Sequence, residues 1–408
     1  MSLFDFVCLV KNDREKGIFI KDKYPADWNI ESQEEYLISC SFPENMVKYS
    51  NASYSFNHEN QIFYVYCFVH DGEDYSVIIC SRIAITNAFY EFMECCKSEF
   101  VDLNPDVVFN KICILIYDWR LDGSNLILKM PGEDNIIVRE CNLLRNSRYE
   151  TFDPVELIGG EVNLFDVWHV LMKNKGILVV ADDPLVVSSA VYSILSLAAP
   201  IRYCENFLVF TKFGDPRFAQ IIDGSDEFKI VGTTNPLALE RCEQFELIIK
   251  INGKKQSLSE VETNQSNLAL IKKKMSSILG RIEDLLSYEM GKDPYFDFLD
   301  FQIKPDDFHM IEPKNPYSKQ LSFDEILLFI QTKTFREWRK YVCSTELIRE
   351  SFLSAIPDVV IKNKTIDQLK YVLPIIKTIR KNYKNDQYFS AVLKNHIDLI
   401  RKKINNKI

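Results

Sequence analysis

The chain has 408 residues, 47% of them apolar and 12% aromatic, which suffices for two or three domains with real cores and excludes general disorder. Its 49 Lys/Arg against 58 Asp/Glu leave a formal charge of −9. Residues 361–408 hold 12 basic and 3 acidic side chains (+9), so residues 1–360 carry −18, an acidic body that argues against nucleic-acid binding.

The N-terminus, MSLFDFVCLVKND, is too short in its apolar run for a secretory signal and carries Asp5. Short strand-like runs follow at Phe4–Val10, Gly17–Ile20, Tyr36–Ser41, Ile62–Val69 and Tyr75–Ser81. Ile83–Cys96 reads as a helix, so the first part resembles an α+β lobe. Between about Asp118 and Pro154 the patterning weakens into a connector with room for a short hairpin. Eleven cysteines are scattered singly, apart from Cys95–Cys96, without a CxxC pair. Cys8, Cys67, Cys80 and Cys113 lie in apolar, strand-like runs, which fits free thiols in a reducing compartment. In such a compartment the glycosylation-type triplets at Asn51 and Asn264 are chance matches.

From Asn163 helix and strand alternate. Leu164–Leu171 is a helix leading into Gly176–Tyr203, GILVVADDPLVVSSAVYSILSLAAPIRY, the most apolar run of the chain. Asp182 and Asp183 inside it exclude a membrane span. Ile177–Val180 reads as a buried strand, Asp183 as a helix cap and Pro184 as the first helical residue. The helix then continues to Pro200 with Val187, Val191, Ile194 and Leu197 on one side. Asn206–Thr211, Phe228–Val231 and Phe245–Ile251 are further strands, and Asp215-Pro216 opens a short helix. The expected architecture is therefore α/β: an N-terminal α+β lobe, then a lobe with a mostly parallel sheet. Helices extend it at Asn267–Met290, Phe323–Tyr341, Cys343–Ala355, 365–383 and 386–404. The implied domains are 1–150, 151–252 and 253–408.

Neither GxxxxGK[ST], GxGxxG nor a GxSxG elbow occurs. The five histidines, at 58, 70, 169, 309 and 396, are isolated from one another and from the cysteines, so no metal site and no cofactor is expected. Asp182 and Asp183 stand at the C-terminal end of a strand, where α/β folds place their sites. Asp183 has a capping duty there; Asp182 does not. Gly232-Thr-Thr-Asn-Pro236 follows a second strand and reads either as an ordinary turn or as part of the same contact rim. The basic C-terminal helices can touch anionic membranes, although a solvated face complementing the acidic body is the preferred reading of sequence alone.

Together these landmarks resemble the DENN-domain proteins, regulators of Rab GTPases. The residues that carry the likeness are Val167–Val170, Ile177–Leu185, Ser188–Pro200, Tyr203 and Phe228–Gly232, with weaker support from YLISCSFP (Tyr36–Pro43), Phe63–Phe68 and Phe335–Trp338. The form IVGTTNP at Ile230–Pro236 is most similar to a subfamily of small DENN proteins linked to endosomal Rab activation. The resemblance implies a longin-like N-terminal lobe, an α/β lobe extended by helices, and a GTPase held between them. It implies a guanine nucleotide exchange factor, cytoplasmic and recruited to endosomal or other vesicular membranes, with ion and nucleotide belonging to the partner. The partner-binding residues it implies are Asp182, Thr233 and Asn235, with Asp183, Pro184 and Gly232 shaping the surface. Two rival readings are a GTPase-activating protein that presents Arg82, and a Rab-binding scaffold or DENN-like heteromer subunit without exchange activity.

Overall fold

The computed structural model describes residues 3–29, 33–44, 51–58, 61–81, 86–100, 102–122, 125–132, 136–140, 153–253, 257–295, 302–304, 307, 323–343 and 346–405. Arg82 lies outside them, as do much of the polar segment Gly291–Gln320 and the end of the connector. The described residues form two compact units, Met1–Lys273 and Lys274–Ile408.

The first unit begins with an antiparallel sheet of five strands: β1 (Phe6–Asp13), β2 (Gly17–Tyr24), β3 (Asn51–His58), β4 (Gln61–His70) and β5 (Glu73–Ser81), ordered β2-β1-β5-β4-β3. β4 and β5 are buried along almost their whole length, because both faces of the sheet are covered. Helices α2 (Thr86–Glu99) and α3 (Pro105–Tyr117) pack on it; Phe89 of α2 lies 4.3 Å from the Tyr64 ring of β4.

Four local expectations change. Tyr36–Ser41 is not a strand but part of helix α1 (Glu34–Cys40). Its buried residues, Leu37 and Cys40, are three apart, and Glu34 and Glu35 supply the acidic first turn a helix favours. Cys113 belongs to α3 rather than to a strand: Val108, Phe109, Ile112, Cys113 and Ile116 recur at helical spacing, and Asn104 accepts from the Asp106 amide at 3.0 Å ahead of Pro105. β3 has no counterpart in the expected strands, since NASYSFNH looks like loop. Its serines and Asn57 are nevertheless buried, and Ser55 and Asn57 are hydrogen-bonded there. The connector contains a three-stranded antiparallel sheet, β6 (Arg120–Asp122), β7 (Asn125–Lys129) and β8 (Ile136–Glu140), in place of a single hairpin.

Next come α4 (Pro154–Ile158), α5 (Leu164–Met172), β9 (Ile177–Ala181), α6 (Pro184–Ser196), β10 (Phe207–Thr211), α7 (Pro216–Ile222), β11 (Ile230–Thr233), α8 (Leu237–Arg241) and β12 (Leu247–Ile251). The four strands form an all-parallel sheet ordered β10-β11-β9-β12. β9 sits inside it and is buried at every position, as its uninterrupted aliphatic sequence requires.

The two sheets share one core. Tyr54 and Phe56 of β3 join Val187 of α6 and Phe210 of β10 in a single apolar cluster, with the Tyr54 and Phe210 rings 5.1 Å apart. Where the sheet edges meet, Asn57 takes the place of a ladder partner. Its amide donates to the Phe207 carbonyl at 2.8 Å and its oxygen accepts from the Val209 amide at 2.7 Å. Beside it Arg217 grips Asp215 through Nε (3.0 Å) and Nη2 (2.6 Å), donates through Nη1 to the Asn57 carbonyl (2.8 Å), and reaches the Tyr36 hydroxyl. The Asp215 side chain is fully buried. On the α6 side, Tyr90 bonds Ser188 at 2.8 Å and Ser55 at 3.1 Å. Burial pushes the Tyr90 phenol up to about 12, so it stays protonated at neutral pH.

Helix α9 (Leu258–Lys292) is longer than its apolar pattern predicts and runs through the boundary between the units. In the first unit its Asn264 donates to the Gly159 carbonyl at 2.7 Å and accepts from the Leu164 amide at 3.0 Å. The second unit is helical among its described residues: α10 (Phe323–Ile330), α11 (Lys333–Cys343), α12 (Glu346–Ser354), α13 (Pro357–Lys362), α14 (Ile366–Asn382) and α15 (Gln387–Asn405). A Thr365/Gln368 capping box starts α14, and Leu369, Val372 and Ile376 form its buried face. No helix of the described residues is long and apolar enough to cross a membrane.

Candidate partner-binding rim

In a parallel sheet every strand ends at the same rim, and the connections that follow set its chemistry. Here β9 and β11 are neighbours in register, Val180 beside Thr233, so Asp182–Pro184 and Thr234–Pro236 emerge side by side. The loop after β10, Lys212–Asp215, adjoins them, with Thr211 opposite Thr233.

Each site residue inferred from sequence has a definite place. Asp183 is the N-cap of α6, its carboxylate accepting from the Leu185 amide at 2.7 Å, and Pro184 takes the first helical position. Both duties follow from local chemistry. Asp182, one residue earlier, is exposed. Gly232 is a packing glycine. A Cβ there would stand 2.4 Å from the Val209 carbonyl oxygen and 2.6 Å from a Val187 methyl, so only a bare Cα lets β11 lie between β10 and α6. The Thr233 side chain is fully buried, and its hydroxyl accepts from the Asn235 amide at 3.1 Å. Asn235 is also buried and accepts from the Leu237 amide at 3.0 Å, starting α8. Asp183, Thr233 and Asn235 spend polar atoms on holding the two loops, and Asp182 is exposed beside them.

The rim has further features that sequence reasoning passed over. Phe213 is 72% exposed and Leu237 45% exposed, so two apolar side chains flank the polar turns. The Phe213 loop is fixed from the other lobe of the unit: Glu44 accepts from the Phe213 amide and the Lys212 ammonium donates to the Phe42 carbonyl, each at 2.5 Å. Burial holds that ammonium below the usual lysine range. An aromatic inside the turn-forming run KFGDP was the available signal. No such signal exists for Asn57 or Arg217, whose partners are distant in sequence.

The rim can therefore present a carboxylate and two apolar side chains on loops held by buried hydrogen bonds, a composition suited to gripping a protein surface. Among the described residues no group of His, Cys, Asp and Glu is placed to hold a metal ion. An open groove lined by Lys21, Asp22, Trp28, Asn29 and Glu34 runs beside β2, the edge strand opposite β3 in its sheet.

No protein-family model matches the chain. It is similar to human Protein DENND6B, 20% identical over 315 residues, an alignment that takes in 62% of this chain and 54% of the human protein. The chain thus spans about half the length of the curated relative it matches. This distant likeness supports a place in the DENN family for the chain.

Proposed function

We propose that this chain is a guanine nucleotide exchange factor that promotes GDP release from a Rab-type small GTPase in membrane trafficking, in the manner of the small endosomal DENN subfamily. The observation that carries this reading is the DENN likeness over 62% of the chain, joined to the strand, cap and helix formed by the ILVVADDPL segment. In this reading residues 1–150 are the longin-like lobe, 151–252 the central α/β core and 253–408 a helical extension.

The factor forms no covalent bond. It binds the nucleotide-free GTPase more tightly than the GDP form, and by linkage GDP binds the complex more weakly. Asp182 takes a basic side chain of the GTPase, and Asp183, Pro184, Gly232, Thr233 and Asn235 fix the loops that present it. Drawing the mobile switch segments toward the rim separates them from nucleotide and Mg²⁺, and cellular GTP refills the site. Recruitment to endosomal or other vesicular membranes belongs to the same reading.

Labelled GDP release and phosphate production are to be measured across a panel of purified Rabs. Faster GDP release from at least one Rab is expected. Asp182→Arg slows that release while leaving thermal melting unchanged, since an exposed substitution is worth less than about 0.5 kcal/mol. Accelerated phosphate production instead would make the chain a GTPase-activating protein. Binding without either effect would make it a scaffold, and unchanged exchange by the Asp182 variant would remove the rim assignment.

A further inference from the structure

Of the 12 basic residues of positions 361–408, 11 lie among the described residues, and these divide into two groups. Some are internal ties. Lys403 donates to the carbonyls of Ile361 (2.6 Å) and Lys364 (3.0 Å) at the end of α13, Lys364 pairs with Asp293, and Arg380 donates to Ser390 at 3.3 Å. The others point outward. Lys370, Lys377 and Lys381 are exposed and fall at i, i+7 and i+11 of α14, which puts them in one row on the side away from Leu369, Val372 and Ile376. The row is about 16 Å long at 1.5 Å per residue. Lys384 in the following turn and Lys394 and Lys402 of α15 are exposed as well. Two of the three acids of this segment are engaged: Asp386 by Arg349 at 3.2 Å and by the Phe389 amide at 3.0 Å, and Asp398 lies 3.7 Å from Arg401, while the third, Asp367, is exposed one turn before Lys370 and leaves the lysines in clear excess.

We infer that the outer face of α14 and α15 is a docking surface for an anionic phospholipid membrane. Three observations favour that occupant. The exposed cations are overwhelmingly lysines, which protein interfaces avoid in favour of arginine, while a compact ammonium on a flexible stem suits a diffuse layer of phosphate and carboxylate headgroups. Two tyrosines stand among them, Tyr371 (54% exposed) and Tyr388 (69% exposed), with the apolar body and polar tip that settle at headgroup depth. The preceding 360 residues carry −18 in sum, which repels nucleic acid, whereas this segment carries +9 and so attracts an anionic sheet. Amphipathic helices whose apolar side is already buried in their own unit bind such a surface by charge and by rim aromatics, reversibly and with strong salt dependence.

The test uses the full chain and no GTPase, so its outcome is independent of the exchange reading. The protein is sedimented with vesicles of phosphatidylcholine alone and with vesicles containing about 30% phosphatidylserine. Apparent affinity is expected to rise at least about tenfold with the anionic lipid and to fall again at high salt. The triple variant K370E/K377E/K381E loses the gain, and K370R/K377R/K381R keeps it. Equal sedimentation with both vesicle types, or with neither, would show a merely solvated face and overturn the inference. So would a dimer of the wild type, lost in the Glu variant and unaccompanied by vesicle binding, which would make the face a contact with the acidic surface of a second copy. Should the Glu variant fold poorly, the salt dependence of the wild type and the binding of the Arg variant still decide the matter.

Discussion

In the first unit Asn57 reaches Phe207 across 150 positions, and Arg217 reaches Tyr36 across 181. In the second, helices with apolar stripes meet face to face, as α14 and α15 do across a four-residue turn, and one fully buried polar group among them is His396. That imidazole shares a 2.7 Å hydrogen bond between Nδ1 and the Tyr295 hydroxyl and lies edge-on to Phe352 at 4.9 Å. One region joins two unlike sheets with an amide and a guanidinium that keeps its charge at every accessible pH. The other buries a ring whose ordinary titration lies near neutrality. The difference is one of vulnerability: the first unit is exposed to loss of single side chains, the second to acid.

The sharpest way to break the contrast is Arg217→Met. It leaves the fully buried Asp215 carboxylate without its counter-charge, and a loss of about 4 kcal/mol is expected in denaturant unfolding of the first unit. A loss under about 1 kcal/mol would mean that the pair is wet and the joint less dependent on it than its geometry implies. Asn57→Leu comes next. It strands the Phe207 carbonyl and the Val209 amide together, for about 3 kcal/mol, with faster hydrogen exchange along β10 as the local readout.

The third effect is smaller and depends on pH. Burial holds the His396 imidazole down at about 4, against 6.5 for the ordinary side chain. Between those values the unfolded chain binds the proton and the folded one does not. The contribution is therefore complete above pH 6.5 and is lost as pH falls toward 4. At pH 5 the loss is about 2 kcal/mol. Melting curves between pH 7.5 and 5 should show the second unit weakening in the wild type and much less in His396→Phe. Identical pH slopes for the two proteins would exclude the imidazole as the acid-sensitive group.

How much of this was legible in the sequence varies with the range of the forces involved. The core unit from Ile177 was readable up to the end of its helix, which stops at Ser196 and not at Pro200, because a buried strand, an Asp cap, a proline at the first helical position and an aliphatic helix are each set by nearest neighbours. The amphipathic helices α14 and α15 were readable for the same reason. Tyr36–Ser41 was misread as a strand, since six mixed residues satisfy a period of two as easily as a period of 3.6, and what they pack against decides. β3 was missed because its serines and Asn57 look like loop until α6 and β10 bury them and supply hydrogen-bond partners. At the rim, Asp183 and Pro184 could be assigned their capping duties from sequence. That Thr233 and Asn235 turn inward, and that Phe213 and Leu237 turn outward, could not.

By itself, then, the sequence determined an acidic chain with a basic end, an α/β order of elements, the capped turn after β9 and the helices that follow, all of which rest on contacts within a few residues. The tertiary structure alone decided that Gly232 serves close packing and that Asn57 closes a sheet edge. It also decided that Arg217 neutralises a buried carboxylate and that the lysines of α14 divide from the cations held inside. Those outcomes depend on which distant surfaces meet, and the free energy of a polar or bare position is set by what is brought against it.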